Sequence, residues 1–462
     1  MKFTLGEIAK ATGGMVHGDP ALKCSGVCID TRKLAKGELF AAIRGAHFDG
    51  HDFLGDAHAA GAAALLAGCG VKIPKGAAAV EVQDTVKAMG DIASWWRGRF
   101  AVPCVAITGS NGKSTTKEMT SSVAGVLGPV LKTEGNFNNL IGLPLTIFRW
   151  NDSSRVAILE MGMNAPGEIR RLTQIARPDV GLITNITAAH LEKLGSVEAV
   201  AEAKGELFEA MGESGIAVVN GEDRWAKEMA AKHRGKKIVF GMQNGSDVQF
   251  LHMDMEGLDS MDLSIAVMGK EYRLALPVPG AHNVMNALAA VAAGLALGID
   301  PAKAVERIEG FRPMAMRMER IQLANGVRVV NDSYNANPES MRAAFRTVGS
   351  AKRAGRFIAA LGDMLELGEA SSELHKQVGE AAASMGVERL YVMGDFASDT
   401  ASGAISGGLD DSDIVVCDGG TGQVARLLEE EVRAGDVLLV KGSRGMKMER
   451  VVEHLKENIG MG

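Results

Sequence analysis

The sequence predicts an α/β protein of three domains: a small N-terminal α/β domain, a central domain with a mainly parallel sheet, and a C-terminal Rossmann-like domain. Its 462 residues exceed a single domain, since about 150 residues per domain is the usual expectation. Short apolar runs alternate with helical patterns, which is typical of parallel βαβ units. With 46% hydrophobic and 23% charged residues, the chain can bury sizeable cores.

Composition excludes several classes of protein. A formal charge of −6 gives no general attraction to nucleic acid or to an anionic membrane. The N-terminus has no apolar signal region, and the longest apolar stretch, residues 280–299, is interrupted by polar residues and predicts a buried helix. The five cysteines show neither zinc-binding spacing nor a disulfide framework. We therefore expect a cytoplasmic protein with no nucleic-acid partner and no membrane insertion. We also expect a monomer, although composition does not determine the oligomeric state.

The domain boundaries are predicted where the pattern of apolar runs changes. The first domain covers residues 1–82, with a strand at Glu38–Ile43 and a helix near Asp56–Leu66. The central domain covers residues 83–312 and opens with a helical segment that carries Trp95 and Trp96. The last domain covers residues 313–462.

Both larger domains contain five predicted strands, and several of those in the last domain end in glycine or aspartate. Ligands of open α/β sheets bind beyond the carboxyl ends of the strands, so these ends predict the site. The central runs are VPCVAIT, RVAILE, DVGLITNI, GIAVVN and KKIVF, and the C-terminal runs are VRVVND, RFIAALGD, RLYVMGD, DIVVCD and DVLLVKG.

The sharpest motif is VAITGSNGKSTT, a strand that runs into a glycine-rich loop and then a helix. Backbone N–H groups of such a loop can bind phosphates, Lys113 can neutralise them, and Ser114 can reach a magnesium ion. The motif predicts a P-loop-type ATPase domain, although its two glycines are two residues closer together than in the usual motif. The alternative is a glycine-rich turn with an exposed lysine. The predicted nucleotide-binding residues are Gly109, Ser110, Asn111, Gly112, Lys113, Ser114 and Thr115.

Two residues at strand ends are candidate magnesium ligands. Glu160 ends the run VAILE, where a carboxylate would lie at the mouth of the sheet near the phosphate loop. His190 follows the run LITNITAA at a similar junction. The alternatives are a solvated acidic strand end for Glu160 and a structural histidine for His190.

Lys204 is the most informative single residue. On a helical wheel for residues 196–211, Lys204 falls within an apolar stripe, and the glutamates 198, 202, 206 and 209 fall on the opposite face. Burial favours the neutral amine, which can take up carbon dioxide as a carbamate and become an anionic metal ligand. The alternative is a lysine that snorkels to solvent or pairs with a buried carboxylate.

Further polar residues lie downstream. His282 and Asn283 interrupt an apolar helix start, where they predict either a base or ribose contact or a helix N-cap. Arg317, Asp332 and Lys441 lie near predicted strand ends of the last domain, and each alone could be a solvated charge.

These segments together resemble the Mur ligase family, whose members use ATP to join amino acids or peptides to a cell-wall nucleotide precursor. The resemblance covers nearly the whole chain through GSNGKST, GNFNNLIGLPLT, LEMGM, TNITAAHLEKLGS, AEAKGE and GAHNVMNA. Four further segments favour the substrates UDP-N-acetylmuramoyl-tripeptide and D-alanyl-D-alanine: DTRKLAKGELFAAIRGAHFDGH, VNDSYNANPESM, LGDMLELG and KGSRGMKME.

The resemblance implies a role for each candidate residue. Lys113 and Ser114 would hold the phosphates of ATP. Magnesium would be held by Ser114, Glu160, His190 and carbamylated Lys204. The catalytic residues would be Lys113, His190 and Lys204. ATP would also contact Asn283, Arg317 and Asp332. The nucleotide sugar would contact Thr31, Arg32, Gly45, Asp49 and His51, and the dipeptide would contact Asn335 and Asn337.

Two other functions remain open at this point. A folylpolyglutamate-type ligase shares the loop and the chemistry, although the first-domain and SYNANP segments favour the cell-wall substrate. An ATP-gated switch could use the loop without ligation, although it has no need of a carbamate-forming lysine. Because the loop and the Arg317–Asp332 region belong to different domains, we predict that the last domain closes over the nucleotide.

Overall fold

A computed structural model describes residues 1–45, 48–187, 194–256, 259–350 and 354–462 of the chain. Four sheets fall within three successive parts of the sequence, and helices cover the two larger sheets. The predicted α/β class with three domains is confirmed. The exact boundaries at residues 82 and 312 stay predictions.

The N-terminal part carries a two-stranded sheet and a five-stranded sheet. The pair β1–β3 is antiparallel, and the larger sheet has the order β2-β7-β6-β5-β4, with only β2 antiparallel to its neighbour. Its strands are β1 Phe3–Thr4, β2 Met15–His17, β3 Lys23–Cys24, β4 Val27–Cys28, β5 Leu39–Ala41, β6 Ala64–Gly68 and β7 Ala79–Val82, and its α-helices are Leu5–Thr12 and Leu54–Ala59.

The central part is built on a nine-stranded sheet of order β16-β15-β14-β13-β12-β11-β8-β10-β9. It is parallel from β9 to β14 and ends in an antiparallel meander. Its strands are β8 Cys104–Thr108, β9 Val130–Lys132, β10 Val156–Glu160, β11 Val180–Ile183, β12 Ile216–Asn220, β13 Lys237–Gly241, β14 Val248–Glu256, β15 Met261–Val267 and β16 Lys270–Leu276. Its α-helices are Thr85–Arg97, Lys113–Ala124, Gly142–Phe148, Glu168–Ala176, Val197–Ala210, Arg224–Ala231, Ala281–Ala296 and Pro301–Glu309.

The C-terminal part carries a six-stranded sheet of order β17-β18-β22-β19-β20-β21, parallel except for β17. Its strands are β17 Glu319–Gln322, β18 Arg328–Asp332, β19 Phe357–Gly362, β20 Arg389–Met393, β21 Ile414–Cys417 and β22 Val437–Lys441. Its α-helices are Pro338–Ser350, Ser371–Ser384, Ala397–Ser406, Gly420–Glu431 and Glu449–Asn458.

Two features of the fold differ from the sequence prediction. The helix expected near Asp56–Leu66 ends at Ala59, and the segment Ala64–Gly68 is the strand β6 at the middle of its sheet. Its apolar residues are buried on both faces, and a short run of this kind cannot be assigned to helix or strand by periodicity. The antiparallel strands β14, β15 and β16 were not anticipated either, because the other strands of this part predict parallel units only.

The prediction of a buried helix is confirmed. The apolar stretch around residues 280–299 forms the buried helix Ala281–Ala296, and no helix in the described ranges is long and apolar enough to cross a membrane. All five cysteines are free thiols.

The sheet register brings the predicted site together. Strand β8 lies between β10 and β11, with Glu160 opposite Ile107 and Ile183 opposite Thr108. The carboxyl ends of three parallel strands therefore meet where the glycine-rich loop begins.

Candidate active site

A cavity of about 870 Å³ lies between the carboxyl end of the central sheet and the C-terminal part. Residues of both parts line it, including the glycine-rich loop, Glu160 and Lys204 from one side and Asp332 and Lys441 from the other. A ligand in this cavity would contact both walls at once.

The glycine-rich loop leaves β8 and leads into the helix Lys113–Ala124. Gly112 has a φ of 78°, in the left-handed region that favours glycine. A Cβ on Gly109 would lie 1.9 Å from the hydroxyl oxygen of Thr184, so a side chain is sterically excluded there. The loop can bring backbone N–H groups close to a phosphate at the start of the helix.

Lys113 is partly buried at this helix start, which rules out an exposed lysine on a simple turn. Its Nζ donates to the carbonyl oxygens of Gly109 at 2.7 Å and Ser110 at 3.1 Å. Burial lowers the pKa of Lys113, and the nearby charge of Glu160 opposes that shift. The ammonium group is thus held at the loop by weak neutral acceptors.

Glu160 is only 2% exposed, so it is not a solvated strand end. Its Oε1 accepts from the Asn138 side chain at 2.8 Å, and its backbone N–H donates to the Thr133 hydroxyl at 3.0 Å. Its Oε2 is buried with no hydrogen-bond partner in the described part of the chain. A buried carboxylate oxygen without a hydrogen-bond partner is suited to bind a cation.

Lys204 lies in the helix Val197–Ala210, which is capped by the Ser196 side chain. Lys204 is 1% exposed, so its predicted burial is confirmed and it does not snorkel to solvent. Among the described residues it has neither a hydrogen bond nor an ion pair, which argues against pairing with a buried carboxylate. Burial, together with the charge of Lys113, lowers the pKa of Lys204 well below its usual value. The neutral amine is therefore favoured.

One glutamate on the face opposite the apolar stripe is buried. Glu206 is 8% exposed, and its carboxylate accepts from the backbone N–H groups of Gly167 at 2.7 Å and Arg170 at 2.9 Å. It supplies acceptors for the N-terminus of the neighbouring helix Glu168–Ala176, which attracts negative charge.

The C-terminal wall reaches the glycine-rich loop directly. The Nη2 of Arg317 donates to the Ser114 hydroxyl at 2.8 Å, and the Nδ2 of Asn337 donates to the Asn111 side chain at 2.6 Å. The structure therefore brings Arg317 and Asn337 together with the loop, whereas closure of the domain stays a prediction.

Asp332 is paired with the buried Lys441 and accepts from the backbone N–H of Met318 at 3.1 Å. The same Lys441 Nζ donates to the Asn335 carbonyl oxygen at 3.0 Å. Lys441 is 2% exposed, so it is not a solvated charge.

Asn283 lines the cavity but lies inside the helix rather than at its N-cap, which is Gly280. Its Nδ2 donates to the Pro279 carbonyl at 2.7 Å, and its Oδ1 accepts from Asn286 at 3.0 Å. His282 also lines the cavity. Contact with a base or ribose stays a prediction for this pair.

The predicted residues of the first part do not line the cavity. Arg32 forms a two-point ion pair with Asp30, and this contact lowers the pKa of Asp30 to about 2. Asp49 accepts from the backbone N–H of His51 and from its ring, at 3.0 Å and 2.6 Å, and these bonds lower the pKa of Asp49.

The loop around Asp49 is closed by a hydrogen bond from Gly45 N–H to the Phe48 carbonyl at 2.8 Å. Thr31, like Arg32, is exposed or half-buried at the surface of the first part. Binding of a nucleotide sugar by these residues therefore stays a prediction.

Two site residues were not singled out from the sequence. Asn138 orients Glu160, and Tyr334 stacks against Arg317 with 3.9 Å from the guanidinium carbon to the ring centre. Both lie in segments already recognised, GNFNNLIGLPLT and VNDSYNANPESM, which were the available signals. His190 lies outside the described residues.

Comparison with family models gives three matches. The Mur ligase middle domain matches residues 107–294, the Mur ligase glutamate ligase domain matches 316–444, and the Mur ligase family catalytic domain matches 23–96. Together they span most of the chain.

Two similar proteins carry the same name. The chain is 37% identical to the UDP-N-acetylmuramoyl-tripeptide–D-alanyl-D-alanine ligase of Bacillus subtilis, over 94% of this chain and 93% of that protein. It is 36% identical to the Escherichia coli ligase of the same name, over 99% of both chains.

Solved structures agree with the sequence relatives. A crystal structure of MurF from Acinetobacter baumannii has a TM-score of 0.90 at 29% identity, over 99% of both chains. MurF from Thermotoga maritima in complex with ADP has a TM-score of 0.83 at 28% identity, over 94% of this chain and 97% of that one. Folylpolyglutamate synthase of Mycobacterium tuberculosis, at 15% identity and a TM-score of 0.62, over 82% of this chain and 95% of that one, shares the fold alone.

Proposed function

The chain belongs to the Mur ligase family, and we propose that it is the ATP-dependent, ADP-forming ligase that adds D-alanyl-D-alanine to UDP-N-acetylmuramoyl-tripeptide. The product is the UDP-N-acetylmuramoyl-pentapeptide used in peptidoglycan synthesis. The observation that carries the proposal is the cavity in which the glycine-rich loop and Glu160 face the C-terminal wall, with one Glu160 oxygen lacking a hydrogen-bond partner among the described residues.

The chemistry follows from the substrate. A carboxylate has no good leaving group, so the γ-phosphoryl group of ATP is first transferred to the terminal carboxylate of the tripeptide, and ADP leaves. The amine of D-alanyl-D-alanine then attacks the acyl phosphate. An amide bond forms, inorganic phosphate leaves, and a base takes the proton of the amine. Both steps concentrate negative charge, which fixed cations and N–H groups stabilise.

The glycine-rich loop supplies the phosphate contacts in this proposal. Residues 109–115 and the helix start would surround the phosphates, and Lys113 would exchange its weak carbonyl acceptors for phosphate oxygens. Arg317 would bring a second cation from the other wall, and Asp332 and Asn283 would contact the nucleoside end. The ADP complex of the Thermotoga maritima protein supports nucleotide binding in this fold.

Magnesium is the proposed metal, and the donor set fits it. Glu160 has a buried oxygen with no hydrogen-bond partner in the described ranges, and Ser114 has a hydroxyl at the loop. His190 completes the proposed ligands. A divalent cation at this place would neutralise phosphate charge as a Lewis acid.

Carbamylation of Lys204 is the second part of the metal proposal. The side chain is buried in the cavity wall and has no partner among the described residues. Its pKa is lowered, so the neutral amine that reacts with carbon dioxide is available. The carbamate would add a negative charge near Lys113, where it would offset part of the positive charge of that ammonium group.

The remaining contacts concern the two other substrates. We assign the uridine nucleotide sugar to Thr31, Arg32, Gly45, Asp49 and His51, and the dipeptide to Asn335 and Asn337. We also infer a cytoplasmic monomer, since the substrates are cytoplasmic intermediates in this proposal and the cavity needs no second copy.

Phosphate release from ATP and magnesium tests this function, measured with UDP-N-acetylmuramoyl-tripeptide in the presence and absence of D-alanyl-D-alanine. We expect release that requires both substrates, together with a pentapeptide product identified by mass. Absence of stimulation by either substrate would refute the proposal. Glutamate addition to folate is then the next assay, because that activity is the rival within the same fold.

A further inference from the structure

Arg317 reaches the glycine-rich loop from a turn of the C-terminal part. One nitrogen donates to Ser114, the guanidinium lies over the ring of Tyr334, and Nε is buried without a hydrogen-bond partner in the described chain. A single hydrogen bond does not fix the plane of a guanidinium group. The ring of Tyr334 is therefore the main contact that sets its orientation.

The backbone around Arg317 is held in an uncommon conformation. Met316 has a φ of 59° and Met318 a φ of 49°, so both neighbours lie in the left-handed region without being glycine. Such strain persists only where surrounding contacts hold it, and it clusters at functional sites.

Three hydrogen bonds hold this turn in place. The Met316 N–H donates to the Glu319 carboxylate at 2.9 Å, and the Met318 N–H donates to Asp332 at 3.1 Å. The N–H of Tyr334 donates to the Met316 carbonyl at 3.1 Å. Tyr334 therefore contacts both the turn and the side chain that the turn presents.

We propose that Tyr334 is a positioning residue for the nucleotide, which acts by holding the Arg317 guanidinium in one plane facing the phosphate loop. This inference rests on the proposed function. Stacking uses the face of the guanidinium and leaves its N–H groups free in the plane, where they can bind phosphate oxygens. The hydroxyl of Tyr334 has no hydrogen bond among the described residues, so the ring carries the effect.

A double-mutant cycle tests this role. We expect Tyr334→Leu to weaken binding of a non-hydrolysable ATP analogue and to lower kcat/KM for ATP, each by about tenfold. In an Arg317→Ala background the same substitution should have no further effect, because it acts only through Arg317. Tyr334→Phe keeps the ring and should recover most of the loss.

Tyr272→Leu is the matched control. Tyr272 also contacts a cation, Lys270, at 5.3 Å, but it lies on β16 and does not line the cavity. Thermal unfolding of each variant shows whether the fold is kept.

Independent losses that multiply in the double variant would overturn the positioning role, as would a failure of Tyr334→Phe to recover analogue binding. An unmutated protein that binds the analogue but ligates neither substrate would instead refute the proposed function. Analogue binding separates these two failures, because it does not require ligation.

Discussion

Two buried lysines face the same cavity from opposite walls and differ in their partners. Lys441 is 2% exposed and is paired with Asp332, with a further acceptor in the Asn335 carbonyl. Lys204 is 1% exposed and has no partner among the described residues. Buried polar groups need partners, and Lys441 finds its partners within the folded chain. Lys204 does not find one among the described residues, so we expect a ligand or a modification to supply its partner.

Removal of Lys204 should have the largest effect on activity. We expect Lys204→Ala to lower ligation by about a thousandfold, because it removes the group that would carry the carbamate beside the phosphates. Small carboxylates such as acetate should restore part of the activity, as measured by phosphate release.

Lys232→Ala serves as the control, since that lysine is 40% exposed and pairs with Glu202 at the surface. Full activity of Lys204→Ala without added carboxylate would contradict the carbamate proposal.

Removal of Lys441 should instead affect stability. Lys441→Met leaves Asp332 without its cation, and breaking a buried pair of this kind costs about 3 kcal/mol in the free energy of unfolding. Urea unfolding measures the loss. Lys87→Met breaks a surface pair with Asp91 and should cost less than about 1 kcal/mol. Equal losses in the two variants would contradict the contrast between buried and exposed pairs.

Glu160→Gln tests whether the Glu160 carboxylate binds a cation. The substitution keeps the shape and the Asn138 neighbour. It removes the negative charge from a buried oxygen that has no hydrogen-bond partner in the described part of the chain. We expect activity to fall about a hundredfold and calorimetric binding of magnesium with an ATP analogue to weaken, while thermal stability without metal stays the same or rises. A marked loss of stability without metal would show that the carboxylate is needed by the fold itself.

The pH dependence of stability gives the smallest and most specific effect. The lowered pKa of Lys204 means that the unfolded chain binds a proton that the folded chain does not, so stability rises with pH up to the usual lysine pKa of 10.5. Lys204→Met, in buffer free of bicarbonate, should therefore be more stable than the unmutated protein, and the advantage should shrink between about pH 7 and about pH 10. A constant difference over this range would mean that the amine is not buried in its neutral form.

Sequence periodicity was sufficient to predict some parts of the site. The position of Lys204 followed from the helical repeat, and Glu160 and the glycine-rich loop followed from the ends of parallel strands. Glu206 could not be assigned in this way, because a helical wheel does not show that the N-terminus of another helix lies opposite.

Tertiary contacts explain the other differences. The stacking of Tyr334 on Arg317 joins two segments whose proximity no local pattern reveals. The sequence of β6 fits a helix as well as a strand, because it is apolar throughout. The three-domain architecture was predictable because strands and helices alternate regularly over most of the chain.

Carbon-13 NMR with labelled bicarbonate tests most directly whether Lys204 carries a carbamate. The protein is measured with magnesium and an ATP analogue, beside the Lys204→Ala variant under the same conditions. We predict a carbamate resonance in the unmutated protein that is absent from the variant. A spectrum without that resonance, or one in which the variant shows it equally, would contradict the account.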